Sequence, residues 1–158
     1  MNHYLSNMDE IKSLYIIVEG QTDARILHTL LNCACYKKVY HIPAGGFANM
    51  SSMATTIRLM QAPKEAANKI VVAFDADSEK KDVINDRIAT MRYLTGADYD
   101  NRIGVFCFVP TIEVALFPKR FPKKKGDVVE LTEYIIKHIE ELREMDIIKA
   151  IQAFIDEK

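Results

Sequence analysis

The 158-residue chain is 49% hydrophobic and 27% charged, with a formal net charge of −1. That length suits one domain whose core closes without disulfides or a structural metal, and the near-neutral balance excludes a whole-molecule field that would draw in nucleic acid or an anionic membrane. Three cysteines, Cys33, Cys35 and Cys107, form an odd set, and Cys33-Ala34-Cys35 lacks the two-residue spacer of a zinc knuckle or redox motif, so they read as reduced core thiols.

Residues 1–12 read as a tail. Met1 to Asp9 is polar and lacks the basic-then-apolar pattern of a leader, and no segment approaches the ~18 apolar residues of a membrane span. The expectation is a cytoplasmic protein without a membrane partner. Leu14 to Val18 is then an apolar, β-rich run that stops at Glu19-Gly20, where the glycine lets the chain turn out of a strand. A helix follows, with Thr22 as the expected N-cap, Asp23 at the positive end of the dipole, and Ile26, Leu27, Leu30, Leu31 and Ala34 on one face.

Lys38 to Ile42 is a short second strand. Pro43-Ala44-Gly45-Gly46 follows, a turn whose paired glycines allow either positive φ or the close approach of a ligand. Met50, Met53, Ile57 and Met60 recur at helical spacing up to a stop near Pro63, and this stripe reads as core rather than as a binding surface. The third strand, Lys69 to Phe74, is apolar along its length, as a strand covered on both faces must be, and it ends at Asp75-Ala76-Asp77-Ser78. Asp77-Ser78 is the expected cap of a helix to about Leu94, with Val83, Ile84, Ile88, Met91 and Leu94 facing inward. Ile103 to Val109 is a fourth apolar strand. Thr111 to Leu116 reads as a helical turn carrying Glu113 to the same edge.

Beyond it lies the one strong positive cluster, Lys119, Arg120, Lys123, Lys124 and Lys125, in a loop stiffened by Pro118 and Pro122. It fits contact with a phosphate backbone and fits an ordinary solvated loop as well. Two apolar stripes close the chain: Leu131, Ile135, Ile139 and Leu142, then Ile147, Ile148, Ile151, Phe154 and Ile155. Four strands alternating with helices imply an α/β fold with a parallel sheet. In the common doubly wound order the first and third strands are neighbours, so Glu19 and Asp75 converge beyond their carboxyl ends, where ligands bind in such sheets. Carboxylates gathered in one cleft are tolerated when protonated or when a hard cation such as Mg²⁺ neutralises them. Asp75 and Asp77, two residues apart, can share one side of such an ion, which suits phosphoryl chemistry. By composition alone the same pair also serves as turn or cap residues.

Glu19-Gly20-Gln21-Thr22-Asp23 after one strand, followed by Asp75-Ala76-Asp77 after another, resembles the Toprim domain of topoisomerases, bacterial primases, OLD-family nucleases and rRNA maturases. The resemblance spans roughly Ser13 to Phe117. It implies a Rossmann-like Toprim fold of about four parallel strands over residues 13–117, with residues 118–158 adding the basic loop and a C-terminal helical extension packed on the same domain. It further implies Glu19 as general acid or base, or as a metal ligand, and Asp75 and Asp77 as the carboxylates holding Mg²⁺, with Mn²⁺ as a substitute. Asp23 and Glu113 would extend the metal set, and Gly20, Gly45 and Gly46 would meet substrate. Independently of the resemblance, Arg25 and His28, off the apolar face of the first helix, could reach substrate from the site edge or be ordinary solvated residues, and the Lys119 to Lys125 cluster is the candidate contact for a phosphate backbone.

The chain has no room for the strand-cleaving domain of a topoisomerase, no Cys/His cluster for a primase zinc module, and no Walker sequence for an OLD-type ATPase. The function expected is metal-dependent phosphodiester hydrolysis on DNA or RNA, acting with a separately encoded ATPase or effector. Two alternatives stand beside it. One is a non-catalytic Toprim module that binds nucleic acid. The other is a haloacid-dehalogenase-like phosphatase, whose nucleophile motif Asp75-Ala76-Asp77 also resembles.

Overall fold

A computed structural model describes residues 12–60, 68–117 and 128–157. Its centre is a four-stranded, all-parallel sheet in the order β2-β1-β3-β4, made of β1 (Ser13–Val18), β2 (Lys38–Pro43), β3 (Lys69–Asp75) and β4 (Ile103–Phe108). Ile17 lies opposite Val72, and Asp75 lies opposite Phe108. The two most buried strands, β1 and β3, occupy the middle, where both faces are covered. The fold is thus α/β and Rossmann-like, and the first and third strands are neighbours as expected.

Helices α1 (Gln21–Leu30), α2 (Phe47–Met60) and α3 (Lys81–Thr95) connect the strands. Strand alternation sends Leu14, Ile16, Val18, Val71 and Ala73 to one face, where they meet Ile26, Leu27 and Leu30 of α1. Ile17, Ile70, Val72 and Phe74 go to the other face, against Met50 and Ala54 of α2 and Met91 of α3. After β4 come the single-turn α4 (Ile112–Leu116), then α5 (Val128–Lys137), α6 (Ile139–Arg143) and α7 (Asp146–Asp156). Leu131, Ile135, Leu142, Ile148, Ile151 and Ile155 of the last three helices join the α1 side of the core.

Several local expectations are corrected. Helix α1 starts two residues earlier than a Thr22 cap would allow: Gly20 is the extended cap residue, and Asp23 Oδ2 accepts its N–H at 3.1 Å. It also stops at Leu30, because Leu31 turns extended, which leaves Ala34 exposed outside the helix. Helix α3 is capped by Lys80 and not by Asp77-Ser78; the Ser78 hydroxyl instead accepts the Lys80 N–H. Its end is set by Gly96 at φ 80, a left-handed position where a Cβ would lie 3.0 Å from the Arg58 guanidinium.

Of the methionine stripe only Met50 is buried, while Met53 and Met60 are exposed, as are Val83 and Leu94 of α3, since α2 and α3 pack on the sheet through narrower faces than their apolar content suggests. The first C-terminal stripe is split at His138, whose φ of −111 and ψ of 22 leave helical values. The cysteines are free, but Cys35 is exposed and not a core thiol. Among the described residues no helix is long and apolar enough to cross a membrane.

Candidate metal centre

The carboxyl ends of β1 and β3 hold the chemistry. β1 exits into Glu19, and the chain then turns through Gly20 into α1, whose first turn carries Asp23 back over the strand ends. β3 ends on Asp75 itself, adjacent to β1, so Glu19 Oε1 accepts the Asp75 backbone N–H at 3.1 Å. The convergence of Glu19 with Asp75 expected from strand order is present.

β4 then contributes through the segment that follows it. Ala76 and Asp77 donate their N–H groups to the carbonyls of Phe108 and Pro110, at 2.9 and 2.8 Å, which carries the β3–β4 ladder past the sheet edge. The Val109–Pro110 peptide is cis. Thr111 caps α4 by accepting the Val114 N–H, and the Ile112 N–H, freed at the helix start, goes to Asp75 Oδ1 at 2.8 Å. Glu113, the next residue, is thereby held beside Asp75.

One carboxylate oxygen from each of Asp23, Asp75 and Glu113 lies within 4.8 Å of the others, a spacing at which three ligand atoms could share one ion. Burial raises the Asp75 carboxyl to about 7, with the charges of Asp23, Glu19 and Glu113 pushing the same way against the Ile112 hydrogen bond. Burial and then Glu113 raise Asp23 to about 6, with Glu19 adding to the effect and the Gly20 N–H opposing it. Half-buried carboxylates that resist ionisation together suit a divalent cation with oxygen ligands, and the donor set is all oxygen.

Asp77 stands outside this group. The strand ends at Asp75, and Asp77 takes up φ 53 in an exposed turn, so the two-residue spacing does not keep the pair together along a continuing strand. Gly45 and Gly46, at φ 87 and 149, form the turn into α2, where the Gly45 N–H is bonded to the Glu19 carbonyl at 2.8 Å. Gly20 serves as the α1 cap. Arg25 is exposed, on the side of α1 opposite Asp23. Lys119, Arg120, Lys123, Lys124 and Lys125 lie outside the described residues.

Sequence reading did not single out Arg87 of α3. Its guanidinium carbon sits 4.4 Å from the centre of the Phe47 ring, and its Nη2 donates to the Asp75 carbonyl at 3.2 Å. It fixes the backbone of the central carboxylate from the α2–α3 side of the sheet. Its place one helical turn before the buried Met91 was the available signal. Comparison of the chain with protein-family models, curated proteins and solved structures returns no match.

Proposed function

We propose that the chain is a Toprim-type, metal-dependent phosphodiesterase acting on DNA or RNA. The observation that carries this reading is the meeting of Asp23, Asp75 and Glu113, from three separate chain segments, within 4.8 Å at the carboxyl edge of a parallel sheet. In this reading those three carboxylates hold Mg²⁺, or Mn²⁺ in its place. The bound ion supplies Lewis-acid polarisation of a phosphoryl oxygen and lowers the pKa of a water.

The chain's own residues do the rest. Glu19 is anchored through Oε1 to the Asp75 N–H, which leaves its second oxygen as the proton-transfer atom toward the bridging oxygen of a phosphodiester. The hydrogen bonds from Ile112 to the Asp75 carboxylate and from Arg87 to the Asp75 carbonyl keep the central ligand in one orientation. Asp77 is assigned a lesser part, at the exposed lip of the site, and a separately encoded ATPase or effector would complete the active assembly.

The test is cleavage of labelled single- and double-stranded DNA and RNA with Mg²⁺ or Mn²⁺, using the native chain, Glu19→Gln and Asp75→Asn. Metal-dependent cutting that falls by at least ~100-fold in both variants is the expected result. Binding of nucleic acid without turnover on any substrate would replace the nuclease with a regulatory module. Hydrolysis of small phosphomonoesters, with fluoroberyllate trapped on Asp75, would replace it with the phosphatase.

A further inference from the structure

A second polar constellation lies on the outer side of α1. Gln21, Arg25 and His28 recur at spacings of four and three, so they share one helical face, while Asp23 falls on the opposite side with the carboxylates. With His41 and Pro43 of β2 they line an open cleft of about 350 Å³. Gln21 opens α1 and Pro43 closes β2, so the cleft begins at the same sheet edge as the carboxylate group. None of its lining side chains is acidic.

The histidines fix its polarity. His28 Nδ1 and His41 Nε2 are 3.3 Å apart, with the rings edge-on at 86°, so one proton lies between the two nitrogens. His41 Nδ1 is shut off from solvent and has no hydrogen-bond partner. A bare lone pair at that buried position costs less than a bare N–H, so His41 carries its proton on Nε2 and donates it to His28 Nδ1. His28, an exposed residue, then keeps its own proton on Nε2. The cleft presents a guanidinium, an imidazole N–H and a carboxamide.

We propose that this cleft is a phosphate subsite, which seats a backbone phosphate of the same nucleic-acid strand whose phosphodiester reaches the carboxylates. Donors and positive charge without an acidic neighbour are the chemistry of anion recognition, and arginine supplies the planar fork that phosphate takes up. A divalent cation suits the site less well, because Arg25 repels it and the proton between the rings must first leave. The assignment of the strand rests on the nuclease reading; the anion chemistry of the cleft does not.

Two measurements on the full chain test it. In the first, the imidazole ¹H–¹⁵N correlations of His28 and His41 are followed as inorganic phosphate, and separately Zn²⁺, is added. Saturable shifts with phosphate that vanish in Arg25→Gln are expected; a response to Zn²⁺ but not to phosphate overturns the proposal. In the second, a labelled single-stranded oligonucleotide is bound in Ca²⁺, to suppress turnover, across a salt series. The double variant Arg25→Gln/His28→Gln is expected to weaken binding roughly tenfold and to lower the slope of log K against log salt by about 0.7.

Unchanged affinity and slope in that variant, with cutting still dependent on Asp75, would overturn the subsite and leave the nuclease standing. Loss of affinity in the variant without cutting by the native chain would do the reverse. Phosphate shifts with no oligonucleotide binding would assign the cleft to a small free anion and overturn the backbone assignment.

Discussion

Replacing Asp75 by Asn should make the metal-free protein more stable, although it alters the residue at the centre of the site. Asp75 is half-buried beside Asp23, Glu19 and Glu113, and its carboxyl is raised from an ordinary value near 3.8 to about 7. A carboxyl whose folded value is raised contributes stability that is fully present below its unfolded value, near pH 4, and is lost as pH rises through about 7. At pH 8 the ionised group is therefore a cost that asparagine does not carry. Converted at 1.36 kcal/mol per pH unit the full shift would exceed ~4 kcal/mol, but solvent screening of a half-exposed group reduces this to about 1–2 kcal/mol. Asn keeps Oδ1 for the Ile112 N–H, so the α4 cap contact survives. For a domain of this size the gain corresponds to roughly 3–6 °C in melting temperature. The assay is thermal unfolding of native and Asp75→Asn protein in EDTA at pH 8 and at pH 4.5. A variant that melts below the native chain at pH 8, or a difference that is the same at both pH values, would refute the effect.

Other consequences are equally direct. Mg²⁺ at one hundred times its dissociation constant should stabilise the native chain by ~2.7 kcal/mol at pH 8, and by much less at pH 5, where Asp23 (about 6) and Asp75 (about 7) hold protons; scanning fluorimetry with Asp23→Asn and Glu113→Gln as controls reads this, and an equal gain at both pH values would contradict it. The buried Tyr36 hydroxyl donates to the Ile155 carbonyl at 2.8 Å near the end of α7, so Tyr36→Phe should cost about 1 kcal/mol, seen as a lower urea midpoint at unchanged slope. At Gly104 an added Cβ would lie 2.8 Å from the Phe106 ring and 2.9 Å from that of Phe154, so Gly104→Ala must part this aromatic pair; a loss of ~1–3 kcal/mol in denaturant unfolding is expected, and a neutral variant would show that α7 yields there.

The sheet was legible because burial on both faces leaves a plain mark. Ile16, Ile17, Val71, Val72 and Phe74 are all almost inaccessible, and runs of that kind have no reading other than central strands once their lengths are set by Gly20 and Asp75. Helix faces were less legible. Met53, Met60 and Val83 satisfy an apolar period as well as Met50 does, yet α2 and α3 each rest on one flank of the sheet, and which residues touch it depends on the rotation of the helix about its axis. Cap positions were missed at Thr22 and Ser78 for a related reason. Several polar residues near a helix start can each accept a backbone N–H, and the choice was made by the strand exits, through Gly20 in one case and the turn at Asp77 in the other.

The site divides along the same line. Glu19 and Asp75 could be brought together from the sequence because each ends a central strand and the order of the sheet follows from common topology. The place of Glu113 depended on a three-part arrangement, a Thr111 cap, a free Ile112 N–H and an Asp75 oxygen to receive it, of which only the first has a sequence signal. Asp77 lies outside the three-carboxylate group. Its spacing from Asp75 suggests a shared side, but spacing controls direction only while the backbone stays extended, and the left-handed turn at Asp77 ends that control two residues too soon. The His28–His41 pair was invisible for want of any local pattern: the two rings meet because α1 crosses back over β2, a strand at the edge of the sheet, so the contact belongs to the βαβ crossover rather than to either element. Strand-end chemistry is therefore readable in such a fold, and chemistry made by crossovers requires the assembled chain.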